Sequence, residues 1–216
     1  MNRGDGDGID NIEYNLVSGL IEPYVATSSL LDVMFLADRE DNQELFIEEL
    51  QFAMNHRNNW KHYPVLTSQY VSAYRGQLVI RYSSNGRAGS FGDYMIFPRR
   101  SNMGHSRSVE VLRHEHGHFL QYQQLTSDQY YIGIGIPSFR SGGKGLSSKV
   151  YYSRPWEITA DLLARIPRDF NHSQEDIDRG WRYFEYIKTL TGAALNRHMT
   201  WALSFDVHDP EFPFLD

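Results

Sequence analysis

Apolar residues recur at three- and four-residue steps between about 28 and 58, through Leu30, Leu31 and Phe35, then Leu45, Phe46, Leu50, Ala53 and Met54. That spacing predicts helices, the second of which Asp41 or Asn42 can cap. From about 64 to 98 the period changes. YVSAYRGQLVIRY is dense in β-branched and aromatic residues, SSNGRAGSFG carries turn chemistry, and DYMIFP reads as a further strand stopped by Pro98. A small antiparallel sheet is the simplest arrangement of these pieces. SRSVEVLRHEHGHFLQYQQL, 106–125, predicts one long helix, with Ser106 or Ser108 as cap and Glu110 in the first turn. YYIGIGIPSFRSGGKGLSSK then reads as a Gly- and Ser-rich loop. Pro155 opens another helix, WEITADLLARI, at the position where proline is tolerated. SQEDIDRGWRYFEYIKTLTG gives a capped helix ending at Gly192. The Gly- and Asp-rich start predicts a flexible linker or tail over 1–15, and 16–216 reads as one domain. The fold class expected is α+β: helix-rich, with a small antiparallel sheet beside the helix at 106–125.

Composition narrows the function classes. With 41% hydrophobic residues, 14 Tyr and 12 Phe, the chain can bury a sizeable core. A formal net charge of -6 speaks against a nucleic-acid or anionic-membrane partner, both of which need a basic face. The absence of cysteine removes disulfides, thiol catalysis and thiolate-ligated zinc, so any metal must be held by His, Asp and Glu. No apolar run approaches the roughly 20 residues of a membrane span. The first residues lack the basic-then-apolar order of a secretory signal. Asp5, Asp7 and Asp10 are spaced like acidic calcium repeats, yet the first position of a full calcium loop would fall on Arg3.

The strongest chemical signal is His114-Glu115-His116-Gly117-His118. A helix turns about 100° per residue, so His114 and His118 share a face and their imidazoles can converge on one ion. Glu115 lies a quarter-turn away, where it can take a proton from an attacking water and does not bind the metal. His116 falls on the Leu112 and Phe119 side and reads as a packed histidine. A catalytic zinc uses three protein ligands. Gln121 and Gln124 stand where the metzincin pattern needs Gly and His, so that class is excluded, and both read as helix surface. The third ligand must come from elsewhere. Glu157 and Asp161, four apart in PWEITADLLA, supply a carboxylate ligand and an acceptor for the outer N–H of a ligand histidine, His114 being the first choice. Two neutral imidazoles and a carboxylate favour zinc over magnesium or calcium. Tyr151, Tyr152, Arg154 and His172 are available as donors to an oxyanion, and nothing in the sequence chooses among them. His198 and His208 are equally unassigned.

The Glu-x-x-x-Asp pairing resembles that of the gluzincins, the thermolysin-like peptidases. HEHGHFLQYQQL, GIGIPSFRS and RPWEITADLLA together resemble a zincin domain family found as C-terminal modules of bacterial polymorphic toxins and Rhs-repeat-associated proteins. The matching positions are His114, Glu115, Gly117, His118 and Gln121, then Gly135, Ile136, Pro137 and Ser138, then Glu157, Ala160 and Asp161. The resemblance covers about 90–165. It implies a zincin-like fold, zinc as cofactor and hydrolysis of a peptide or protein substrate. It also implies export as part of a longer bacterial protein, as an effector countered by an immunity protein. Two rival expectations remain: a zinc amidase acting on cell-wall peptides, and a binding module that keeps zinc for stability alone.

Overall fold

A computed structural model describes residues 42–45, 47–48, 71–75, 77–82, 88–92, 94–98, 106–142, 145–166, 172–208, 210 and 212. The predicted tail at 1–15, the helix expected from about 28 and the turn at 83–87 lie outside these residues. The described residues are helix-rich with one small sheet, the α+β class expected. They group into two compact units, Met1–Phe119 and Leu120–Asp216, and the border falls inside one continuous helix.

In the first unit, 43–45 and 47–48 are helical, and the side chain of Asn42 accepts from the Leu45 amide at 3.0 Å, the cap the sequence anticipated. The sheet comprises β1 (Val71–Tyr74), β2 (Gln77–Tyr82), β3 (Gly89–Phe91) and β4 (Tyr94–Pro98), in the order β1-β2-β4-β3. It is mixed, not antiparallel as expected: β2 and β4 run parallel, with Val79 opposite Met95, while the two outer pairs are antiparallel. Burial explains the order. Tyr94, Met95, Ile96 and Phe97 are consecutive and all buried, which suits a central strand covered on both faces. The Gly-Ser-Phe of β3, read as turn chemistry, is half-buried and takes the edge. Gln77, fully buried, donates to the Ser90 hydroxyl at 2.9 Å and the Gly92 carbonyl at 3.2 Å, tying the β3–β4 hairpin to β2.

Helix α1 (Ser106–Tyr122) packs on this sheet through Leu112, which joins Tyr74, Val79, Met95 and Phe97 in one apolar cluster. The sheet therefore lies beside the long helix, as anticipated. Ser106 and Ser108 are both within the helix, and Glu110 falls past the first turn.

The second unit is helical. Its elements are α2 (Ser127–Tyr130), a π turn (Tyr131–Gly135), α3 (Ile136–Gly142), α4 (Ser148–Tyr152), α5 (Pro155–Ala164), α6 (Gln174–Thr189) and α7 (Gly192–Ser204). The stretch predicted as a loop from Tyr130 is thus helical as far as Gly142, in a helical run that begins at Ser127. A capping box between Thr126 and Gln129 starts it. Gly133 does not loosen the chain. A Cβ there would meet Cδ1 of Ile187 at 2.6 Å, so the glycine admits α6 at close range. Pro137 has no N–H for the Gly133 carbonyl, and that oxygen accepts from the Tyr183 hydroxyl at 2.6 Å instead.

Helix α5 starts on Pro155, as anticipated, and every residue from Pro155 to Asp161 is buried. In α6, a capping box of Ser173 with Asp176 precedes a buried stripe at Gly180, Tyr183, Phe184 and Ile187. That helix ends at Thr189, and Gly192, expected as its stop, opens α7 with φ +49°. The core is aromatic: Trp156, fully buried, meets Tyr183, Phe205 and Phe212 at ring separations of 5.8, 5.9 and 6.1 Å. Arg154 donates to the Val207 carbonyl at 2.6 Å and Arg140 to that of Ala202 at 2.8 Å, fastening the C-terminal segment. No helix among the described residues is long and apolar enough to cross a membrane.

Candidate metal centre

Between Leu112 and Phe119, α1 is buried except for the half-buried Arg113, although four of its residues there are His or Glu. Such burial costs several kcal/mol in lost hydration unless polar atoms find partners, so the histidines call for an explanation. The His114 and His118 rings, one turn apart, lie edge to face at 4.8 Å and 83°. One ligand atom each from His114, His118 and Glu157 lies within 4.8 Å of the other two, and all three residues are buried. Donors around one tetrahedral zinc sit roughly 3.3 Å apart, inside that limit. The trio named from the sequence is therefore brought together. Glu115 is buried on the same helix and is not among the grouped atoms.

His116 takes no part. Its ring meets Tyr74 edge-on at 5.6 Å and Phe119 at 5.5 Å, and its Nδ1 has no hydrogen-bond partner. Burial, then the neighbouring Arg75, lowers its pKa from 6.5 to about 4. It is a neutral packing residue, as its face on the helix indicated.

Glu157 is fully buried on α5, and its Oε1 accepts from the Ser138 hydroxyl at 2.6 Å. Ser138 Oγ is in turn 3.1 Å from the Tyr151 hydroxyl. Asp161, one turn beyond Glu157, is 1% exposed, with Oδ2 3.8 Å from His172 Nε2. Of the four side chains available by type as oxyanion donors, Tyr151 is thus linked through Ser138 to Glu157, and His172 lies beside Asp161. Arg154 reaches the Val207 carbonyl, and Tyr152 lies edge-on to Tyr151 at 4.9 Å. His198 is buried among Tyr183, Tyr186 and Trp201, where burial lowers its pKa to about 4, and His208 is exposed.

Gln121 departs most from its sequence reading. Expected on the surface, it is fully buried, and its Nε2 donates to the Trp156 carbonyl at 2.7 Å and the Thr159 hydroxyl at 2.5 Å. These partners flank Glu157 along α5. Gln124, by contrast, is exposed and bonds only within its own helix, to the Leu120 carbonyl, as anticipated.

Two imidazoles and a carboxylate, grouped and withdrawn from water, could hold a metal ion. No protein-family model, curated protein or solved structure matches the chain.

Proposed function

We propose that the chain is a zinc-dependent metallopeptidase of the gluzincin kind, with His114, His118 and Glu157 holding the metal and Glu115 as general base. The observation that carries this reading is the buried convergence of two imidazoles and a carboxylate drawn from separate helices, with a further glutamate next to the first histidine. A zinc ion bound there would polarise the scissile carbonyl and make water acidic enough to be deprotonated near neutral pH. Glu115 accepts the proton from the attacking water and returns it to the leaving amine nitrogen. Its burial keeps competing water away from that transfer. Asp161 would orient the His114 ring by accepting its outer N–H. The resemblance to toxin-associated zincin domains extends the proposal to an exported bacterial effector that acts on peptide bonds and is neutralised by an immunity protein.

The test is Glu115→Gln, assayed on casein and on peptidoglycan. Turnover should fall by about 10²–10⁴-fold while zinc content and the far-ultraviolet spectrum stay unchanged. Full activity in that variant would overturn the assignment. A second reading, a zinc site that only stabilises the fold, is favoured by one observation: none of the three ligand residues is more than 5% exposed. Under that reading the wild type cleaves neither substrate and Glu115→Gln changes nothing.

A further inference from the structure

We infer that Ser138 is the positioning residue for Glu157, held in place by Tyr151, so that a Tyr151–Ser138–Glu157 relay fixes the carboxylate before any metal arrives; this rests on the metal reading of the trio. A glutamate has three rotatable side-chain bonds, and a ligand free to turn about them loses that entropy on binding. Glu157 is held against this by a short, charge-assisted bond from Ser138 at 2.6 Å.

A serine hydroxyl has one proton, and here it goes to the carboxylate. The 3.1 Å contact between Ser138 and Tyr151 is then donated by the phenol. The relay draws on three helices, α3, α4 and α5. Ser138 itself is anchored on both sides. Five residues before it, the Gly133 carbonyl accepts from Tyr183, and two residues after it, Arg140 donates to the Ala202 carbonyl. The π turn just ahead of α3 adds a residue to the helical path, shifting the face on which Ser138 emerges.

Zinc affinity, measured by competition with a chromophoric chelator, tests the relay. Ser138→Thr and Ser138→Val are nearly isosteric and differ only in the hydroxyl. Thr should bind zinc about as the wild type does, and Val about 10–100-fold more weakly. Tyr151→Phe should weaken binding by a smaller factor, and add nothing when combined with Ser138→Val. Melting of the metal-free proteins should be alike for the Thr and Val variants. Equal zinc affinity of the Thr and Val variants, with zinc lost in His118→Ala, would overturn the relay and leave the metal site standing. Failure of the wild type to bind zinc would overturn both.

Discussion

The side-chain amide of Gln121 donates to the backbone carbonyl of Trp156, the residue immediately before Glu157, at 2.7 Å. The last turn of the histidine-bearing helix is thereby joined to the first turn of the helix that carries the carboxylate. The same nitrogen reaches the Thr159 hydroxyl, so Gln121 grips both sides of Glu157. Removing that donor leaves buried acceptors short of a partner. Gln121→Met keeps the length and apolar contact, and should lower stability by about 1–3 kcal/mol. Gln121→Glu, which replaces the donor with an oxygen facing a carbonyl, should cost more. Urea denaturation measures both, and an unchanged midpoint in the two variants would show that the bond contributes nothing.

Gly133 offers a second, sterically defined test. Its missing Cβ would lie 2.6, 2.7 and 2.9 Å from three side-chain atoms of Ile187, which is fully buried and cannot swing aside. Gly133→Ala should destabilise the protein by about 1–3 kcal/mol through overpacking. In an Ile187→Ala background, where the obstructing atoms are gone, the same change should cost far less. Strict additivity of the two substitutions would contradict the close approach.

Acid should weaken the fold in a definable window. Burial holds His198 near 4, whereas in the unfolded chain it titrates near 6.5. Between those values the unfolded chain takes up a proton that the native chain refuses, so stability falls as pH drops from 6.5 towards 4 and levels off below. Burial and Arg75 give His116 the same sign. Tyr183 donates its proton to Gly133, so His198 Nε2, at 3.3 Å, is the donor to the phenol oxygen. Gln in place of His198 keeps a donor but cannot titrate. Melting temperatures taken in a chelator should show a shallower acid slope for His198→Gln than for the wild type. Identical slopes would remove His198 from the account.

The sequence revealed features set by local spacing. The long helix, the shared face of His114 and His118, the proline start of α5 and the capped α6 follow from periodicity and capping alone. What it hid depended on partners distant in the chain. Tyr130, Ile132, Ile134 and Ile136 alternate, so the segment lacks a helical stripe. Yet it is a π turn between helices, with its buried positions spread around it. Glycine there serves contact with Ile187, which local reading cannot distinguish from loop chemistry. Gln121 looked like surface because glutamines usually are, and only the carbonyl of Trp156 makes it a core residue. The sheet order turns on β4 being apolar at successive positions, a sign of a central strand carried by YMIF itself. Ser138 gains its role only from a bond to Glu157, 19 residues further along the chain.

Metal content of the purified wild type and of His114→Ala, His118→Ala and Glu157→Ala, by elemental analysis after dialysis against a weak chelator, tests the central claim most directly. The account predicts about one zinc per wild-type chain, as a three-ligand site requires, and loss of most of it in each variant. A wild type without bound metal, or variants that keep full occupancy, would contradict it.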